Sequence, residues 1–257
     1  MAPANLLLQL GLFTAALVAN LLSAVAGGGA GLVQLPVLIL LGLNFPLALA
    51  THKLASVALG LGATLRHSRE RSLNPRLAAF ILACGLPGVM LGAHLVVSLP
   101  PRFCTLALGL LTVGLGWYSL ARPQLGVSGT TRALNGPGLG LGGLGLFTIG
   151  VLNGSLSSGT GLFVTLWLVR WFGLDYGRAV AYTLILVGLF WNGLGALSLG
   201  SQGQIAWGWL PMLLSGSVVG GYLGAHLAIA KGSRLVKRAF EALSLLMGAS
   251  LLLKSLG

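Results

Sequence analysis

One ionisable side chain stands inside an apolar run. Lys53 follows Ala50-Thr51-His52, about a turn and a half into the stretch from Pro46 to Leu65. Burying a charge at the centre of a bilayer helix costs about 2.5–3.5 kcal/mol on insertion scales, so such a residue is a candidate for binding by default. The competing reading is that its long stem carries the amine out to the headgroups. No acid balances it. Glu70, Asp175 and Glu241 fall in or beside expected aqueous loops, and Glu241 follows Lys237 and Arg238 at the spacing of ion pairs along a helix. A membrane interior with a cation and no carboxylate suits an anion better than a metal ion or a carboxylate proton relay.

Two glycine-rich runs add a second ingredient. AGGGAGLVQLP spans Ala26 to Pro36, and NGSLSSGTG spans Asn153 to Gly161. Glycine lets a backbone turn sharply and approach a ligand closely, and broken backbone survives at membrane depth only when it is buried or lines a cavity. A helix that starts at such a break points unpaired N–H groups and its positive end inward, as an anion site requires. The first break offers Gly28, Gly29 and the following Gln34; the second offers Ser155, Ser157, Ser158, Gly159 and Thr160. The alternative is that glycine and serine here only permit close helix crossings.

Around these runs the composition fixes the class. Hydrophobic residues make up 56% of the 257 and charged residues only 7%, with a mean hydropathy of +0.94, against about 25% charged in soluble domains. A soluble fold is excluded. The 41 glycines have no G-X-Y period, which excludes collagen. Spans of about 20 helical residues are expected at Leu6–Ala26, Pro46–Leu65, Leu77–Val97, Cys104–Ala121, Gly138–Leu152, Gly177–Leu199, Trp207–Ala230 and Arg238–Leu253. Leu32–Leu43 and Leu162–Phe172 are too short to cross and read as half-helices behind the breaks. A cleaved signal peptide is not expected, because Met1 to Leu22 carries no Lys or Arg.

The chain also repeats itself. LGAHL occurs at Leu91–Leu95 and Leu223–Leu227; Gly29-Ala30-Gly31 corresponds to Gly159-Thr160-Gly161, and Gly42-Leu43-Asn44-Phe45 to Gly173-Leu174-Asp175-Tyr176, at offsets of 130 to 132. The expected organisation is a first repeat over 1–121, a cytoplasmic linker over 122–137 and a second repeat over 138–257, each with a glycine-broken hairpin and three full spans. Twelve of the fifteen Lys and Arg residues then fall on one side, which the positive-inside rule makes the cytoplasm. Both termini lie outside, and an odd number of crossings per copy inverts the second. The expected fold is therefore an all-α polytopic membrane protein with two inverted-topology repeats. The net charge of +12 reports topology rather than nucleic-acid binding.

Further candidates follow from the repeat. Tyr182 and Thr183 correspond to Thr51 and His52, while Leu184 corresponds to Lys53, so the charge is not duplicated. Asn192 is a candidate for substrate contact or an interhelical hydrogen bond. His94 and His226, in the duplicated LGAHL, either gate and titrate or pack at an interface; His67 reads as solvated in the basic loop. Cys84 and Cys104 lack metal or redox spacing and read as packing residues, with a substrate-facing thiol as the alternative. No metal or cofactor is expected. There is no HExxH motif, no paired carboxylate within a span and no nucleophile with a positioned base, so an enzyme is not expected. A passive anion channel and a membrane subunit that needs a partner remain alternative readings.

AGGGAGLVQLP, the run ATHKLAS at Ala50–Ser56 and LGAHL followed by KGSRLVKR at Lys231–Arg238 together resemble the sulfite exporter TauE/SafE family, also called toluene-sulfonate uptake permeases, and within it the YfcA-like members. The resemblance runs from about Leu10 to Leu253. It implies a multi-pass permease of the bacterial inner membrane whose partner is a small sulfur-containing anion such as sulfite, thiosulfate or an organosulfonate. Leu184 departs from the second lysine of such members, which puts any two-lysine site in doubt. The oligomeric state is not read from the sequence.

Overall fold

The computed structural model describes residues 3–67, 73–95, 101–127, 129, 135–156, 159–201 and 205–256. Ten α-helices follow one another, and no strand occurs among the described residues: α1 Pro3–Ala26, α2 Ala30–Leu40, α3 Phe45–His67, α4 Pro75–Leu95, α5 Pro101–Leu120, α6 Gly136–Leu156, α7 Thr160–Phe172, α8 Tyr176–Tyr182, α9 Asn192–Gly200 and α10 Leu210–Leu256. A π-helical stretch, Thr183–Trp191, joins α8 to α9, and α10 breaks at Gly232 (φ 74°, ψ −178°). That break separates the two spans expected there. Six segments among the described residues are long and apolar enough to cross a bilayer, while α2 and α7 are short. The chain is a multi-pass helical membrane protein.

Local chemistry sets the same boundaries around both short helices. Gly29 and Gly159 precede α2 and α7 with φ of 96° and 76°. Each start is tightened by one bond, Leu32 N–H to Gly29 C=O and Leu162 N–H to Gly159 C=O, both 2.9 Å. The short helices end on Gly42 and Gly173, again with positive φ. Asn44 and Asp175 then cap the next helices, their carboxamide and carboxylate oxygens accepting from Leu47 N–H (3.0 Å) and Arg178 N–H (2.9 Å).

Packing between the long helices rests on small residues. On α10, Gly216, Gly220 and Gly224 meet the backbone carbonyls of Phe13, Leu17 and Leu21 on α1; on α4, Gly88 and Gly92 meet Phe147 and Val151 on α6. Spacing of four places them in one row, which brings backbones into contact where lipid supplies no hydrophobic drive. Hence α1 packs on α10 and α6 packs on α4. Two hydrogen bonds are paired in the same way. Thr51 Oγ1 accepts from Ala206 N–H at 3.0 Å, and the Tyr182 hydroxyl accepts from Asn74 N–H at 2.7 Å.

Two side chains depart from the expected aqueous placement. His67 is buried in the last turn of α3 rather than solvated, because the helix continues through it before residue 68. Glu241 lies inside the bundle, nine residues and roughly 13 Å beyond Gly232. It is ion-paired with Lys237 as the spacing predicts, and the Ser119 hydroxyl lies 2.9 Å from the same carboxylate oxygen.

Candidate functional site

The two breaks press against each other at the centre of the molecule. A Cβ placed on Gly28, whose φ is 137°, would lie 2.5 Å from the carbonyl carbon of Gly161; one on Gly161 would lie 2.8 Å from Gly28 Cα. Only a residue without a side chain fits at this crossing. Gly28 and Gly161 thus do permit a close backbone crossing, as the alternative reading of the breaks has it. Thr165 on α7 ties this crossing together, with its hydroxyl donating to Gly27 C=O at 2.6 Å and standing 2.9 Å from Thr183 Oγ1.

Beside this crossing is a cavity of about 40 Å³, room for about three water-sized groups. Gly28 to Gly31 form one side, Thr160 and Gly161 another. Neither α2 nor α7 carries a side-chain cap at its start. The first N–H groups of an α-helix have no partner within it, so two positive helix ends open on one small polar space. Ser23, His52, Ser56, Asn153, Thr183 and Asn192 complete the polar wall, and Leu59, Leu184 and Val187 the apolar one. Ser23 is 1% exposed and its hydroxyl has no protein partner.

Lys53 backs the cavity rather than lining it. The residue is wholly buried, so it does not snorkel. Its stem lies against Gly195, and Nζ donates to the Asn153 carbonyl at 2.8 Å and stands 3.5 Å from Asn153 Oδ1. That carbonyl belongs to the last turn of α6, where acceptors have no intrahelical donor. A cation there also faces the negative end of the helix. Asn153 passes the contact on, its Nδ2 donating to Thr160 Oγ1 at 2.9 Å and Asn192 Oδ1 at 3.3 Å. One residue earlier on α3, His52 Nδ1 meets Gln34 Oε1 at 3.0 Å and its Nε2 meets the Ser56 hydroxyl at 3.3 Å. Of the described acids, Asp175 and Glu241, neither lines the cavity.

The expected site residues therefore divide. Gly28, Gly29, His52, Thr160, Thr183 and Asn192 line one cavity, Lys53 and Gln34 stand one contact behind it, and Gly159 starts α7 at its edge. Thr51 and Tyr182 point away to their backbone partners. His94 sits in the last turn of α4, its Nδ1 2.7 Å from Met90 C=O, and His226 Nδ1 accepts from Arg66 Nε at 3.0 Å; both are remote from the cavity. Cys84 lines a separate apolar groove with Phe80, Pro87 and Phe147. Ser157 and Ser158 lie outside the described residues, as does the side chain of Cys104. Sequence reasoning missed Ser23, Ser56, Asn153 and Thr165. The repeat could have found the pair Ser23 and Asn153, which correspond at the same offset of 130 that relates Gly29 to Gly159.

Against this geometry, the model of the family described as sulfite exporter TauE/SafE matches residues 12–251. The chain belongs to that family. Among curated relatives, a probable membrane transporter protein of Haemophilus influenzae is 31% identical over 93% of this chain and 92% of its own length. The probable membrane transporter protein YfcA of Escherichia coli K12 is 29% identical over 96% and 90%, and ORF9 of a Sinorhizobium species, named likewise, is 26% identical over 94% and 91%. No solved structure matches the chain.

Proposed function

We propose that this TauE/SafE membrane transporter carries small sulfur-containing anions, such as sulfite, thiosulfate or organosulfonates, across the bacterial inner membrane by alternating access at the cavity between the two breaks. The observation that carries the reading is the convergence of two uncapped helix starts on one polar space with a buried lysine behind it. An oxyanion presents several acceptors at once and so engages donors arriving from both sides. The hydroxyl of Ser23 extends the donor set. With Lys53 already donating to Asn153, its charge acts across that residue rather than by direct contact.

The halves, residues 1–121 and 138–257 joined by the cytoplasmic linker 122–137, act as inverted copies with both termini outside. Support comes from the exchange of partners noted above: α1 on α10 mirrors α6 on α4, and Thr51 to Ala206 mirrors Tyr182 to Asn74. Rocking one half against the other exposes the cavity alternately. The test is flux in proteoliposomes. Saturable counterflow of thiosulfate or sulfite, competed by other sulfur oxyanions and weakened by Lys53→Met, supports the carrier; ohmic single-channel currents without counterflow contradict it.

A further inference from the structure

We infer that His52 is the proton-coupling residue of the transporter, taking up one proton together with each anion through a relay formed with Gln34 and Ser56. The inference rests on the anion-carrier reading and goes beyond it by naming the coupling ion and the atoms that hold it.

The contacts assign the imidazole a working tautomer. With the Gln34 carboxamide oxygen facing the ring at 3.0 Å, Nδ1 carries the ring hydrogen and donates. Nε2 is then the acceptor, and at 3.3 Å it takes the Ser56 hydroxyl hydrogen. His52 is 2% exposed and Gln34 1% exposed, so both contacts lie inside the protein. Both His52 and Ser56 line the cavity. In this arrangement Ser56 points its hydrogen at the histidine and only lone pairs at an anion.

A proton arriving from the open aqueous side reverses that. A new N–H bond forms at Nε2, which now donates to Ser56 Oγ. The serine hydrogen is released from the ring and turns to the cavity, where an anion oxygen accepts it. One event thus adds a positive charge and a donor beside the binding site. Binding free energies are reciprocal, so the anion favours the proton as much as the proton favours the anion. When the site opens to the other side, anion departure removes that support, and the proton leaves Nε2 as Ser56 donates to it again.

Among the groups around the ring, Lys53, its neighbour on α3, is the other titratable one; it stands behind the cavity wall and donates to the end of α6. α1 presents Ser23, α2 Gln34, α6 Asn153, α7 Thr160, the π-helical stretch Thr183 and α9 Asn192, none of which titrates in this range. His52 is the single titratable residue lining the cavity among the described residues.

The experiment uses proteoliposomes with an internal pH dye, a clamped membrane potential and thiosulfate, which holds no proton near neutral pH. For one proton per anion, a gradient of one pH unit drives about tenfold accumulation on the alkaline side, with stoichiometric proton uptake. His52→Asn, which keeps a polar group at the Nδ1 position, is expected to raise the KM for counterflow at equal pH, and the flux that it keeps should show neither proton uptake nor accumulation. Ser56→Ala should keep proton uptake but raise KM. Proton uptake that persists in His52→Asn, or wild-type counterflow with no proton movement, overturns the inference; an unchanged KM in Ser56→Ala overturns the relay. Absence of counterflow in the wild type overturns the carrier reading itself, and this inference with it.

Discussion

Gly28→Ala is the sharpest structural perturbation of the breaks. Two terms add. An L side chain at φ 137° carries backbone strain, and conformations of that hand cost about 1–2 kcal/mol. The added Cβ would also stand 2.5 Å from one backbone carbon of Gly161 and 2.6 Å from Leu162 N, far inside the roughly 3.5–4.0 Å of an ordinary contact. Overpacking against backbone adds about 1–3 kcal/mol, so the total is about 2–5 kcal/mol. Gly42→Ala isolates the first term, since φ is 103° there and nothing lies within 4 Å. Gly161→Ala isolates the second, because Gly161 is helical and meets Gly28 Cα at 2.8 Å. Reversible unfolding of the three purified variants in mixed micelles, with thiosulfate counterflow alongside, separates the terms. Equal costs for Gly28→Ala and Gly42→Ala, or normal transport by Gly28→Ala, would refute the claim that the breaks touch.

Lys53→Met should weaken thiosulfate binding about 30-fold, since a charge acting across Asn153 from roughly 8 Å at an effective dielectric constant of about 20 contributes about 2 kcal/mol; a loss of stability with an unchanged Kd would show that Lys53 serves only as the cap of α6. Tyr182→Phe leaves the Asn74 N–H without its acceptor, and thermal unfolding should report a loss of about 1–3 kcal/mol. Glu241→Gln breaks the Lys237 pair inside the bundle and should cost about 3–5 kcal/mol, largely recovered in Lys237→Met/Glu241→Leu, since well-packed apolar groups often replace such pairs without loss. In a background lacking Cys84 and Cys104, an impermeant thiol reagent should label Arg76→Cys only from the cytoplasmic side and Ser201→Cys only from outside; both positions are exposed.

Most of the fold was legible because bilayer physics writes it into the chain. Apolar runs of about 20 residues and glycine at 29, 42, 159 and 173 locate the helix ends within a few residues, and the duplicated anchors reappear as the same caps. The π-helical stretch was not legible, since Thr183–Trp191 is as apolar as any α-helical span. At the candidate site, residue type singled out His52 and Thr160 on the cavity wall and Lys53 behind it. Thr51 and Tyr182 face elsewhere, because polarity inside a span also serves backbone donors at helix entries. Ser23 went unread as a small residue in an apolar helix; only the bundle shows its hydroxyl unpartnered against the breaks.

A structure determined with selenite, whose selenium scatters anomalously, tests the central claim most directly. The account predicts a peak in the cavity bounded by Gly28 to Gly31, Thr160 and Gly161, within hydrogen-bonding distance of Ser23 Oγ. A peak only among the basic residues near Arg76 or Lys231, with the cavity empty of selenium, would contradict it.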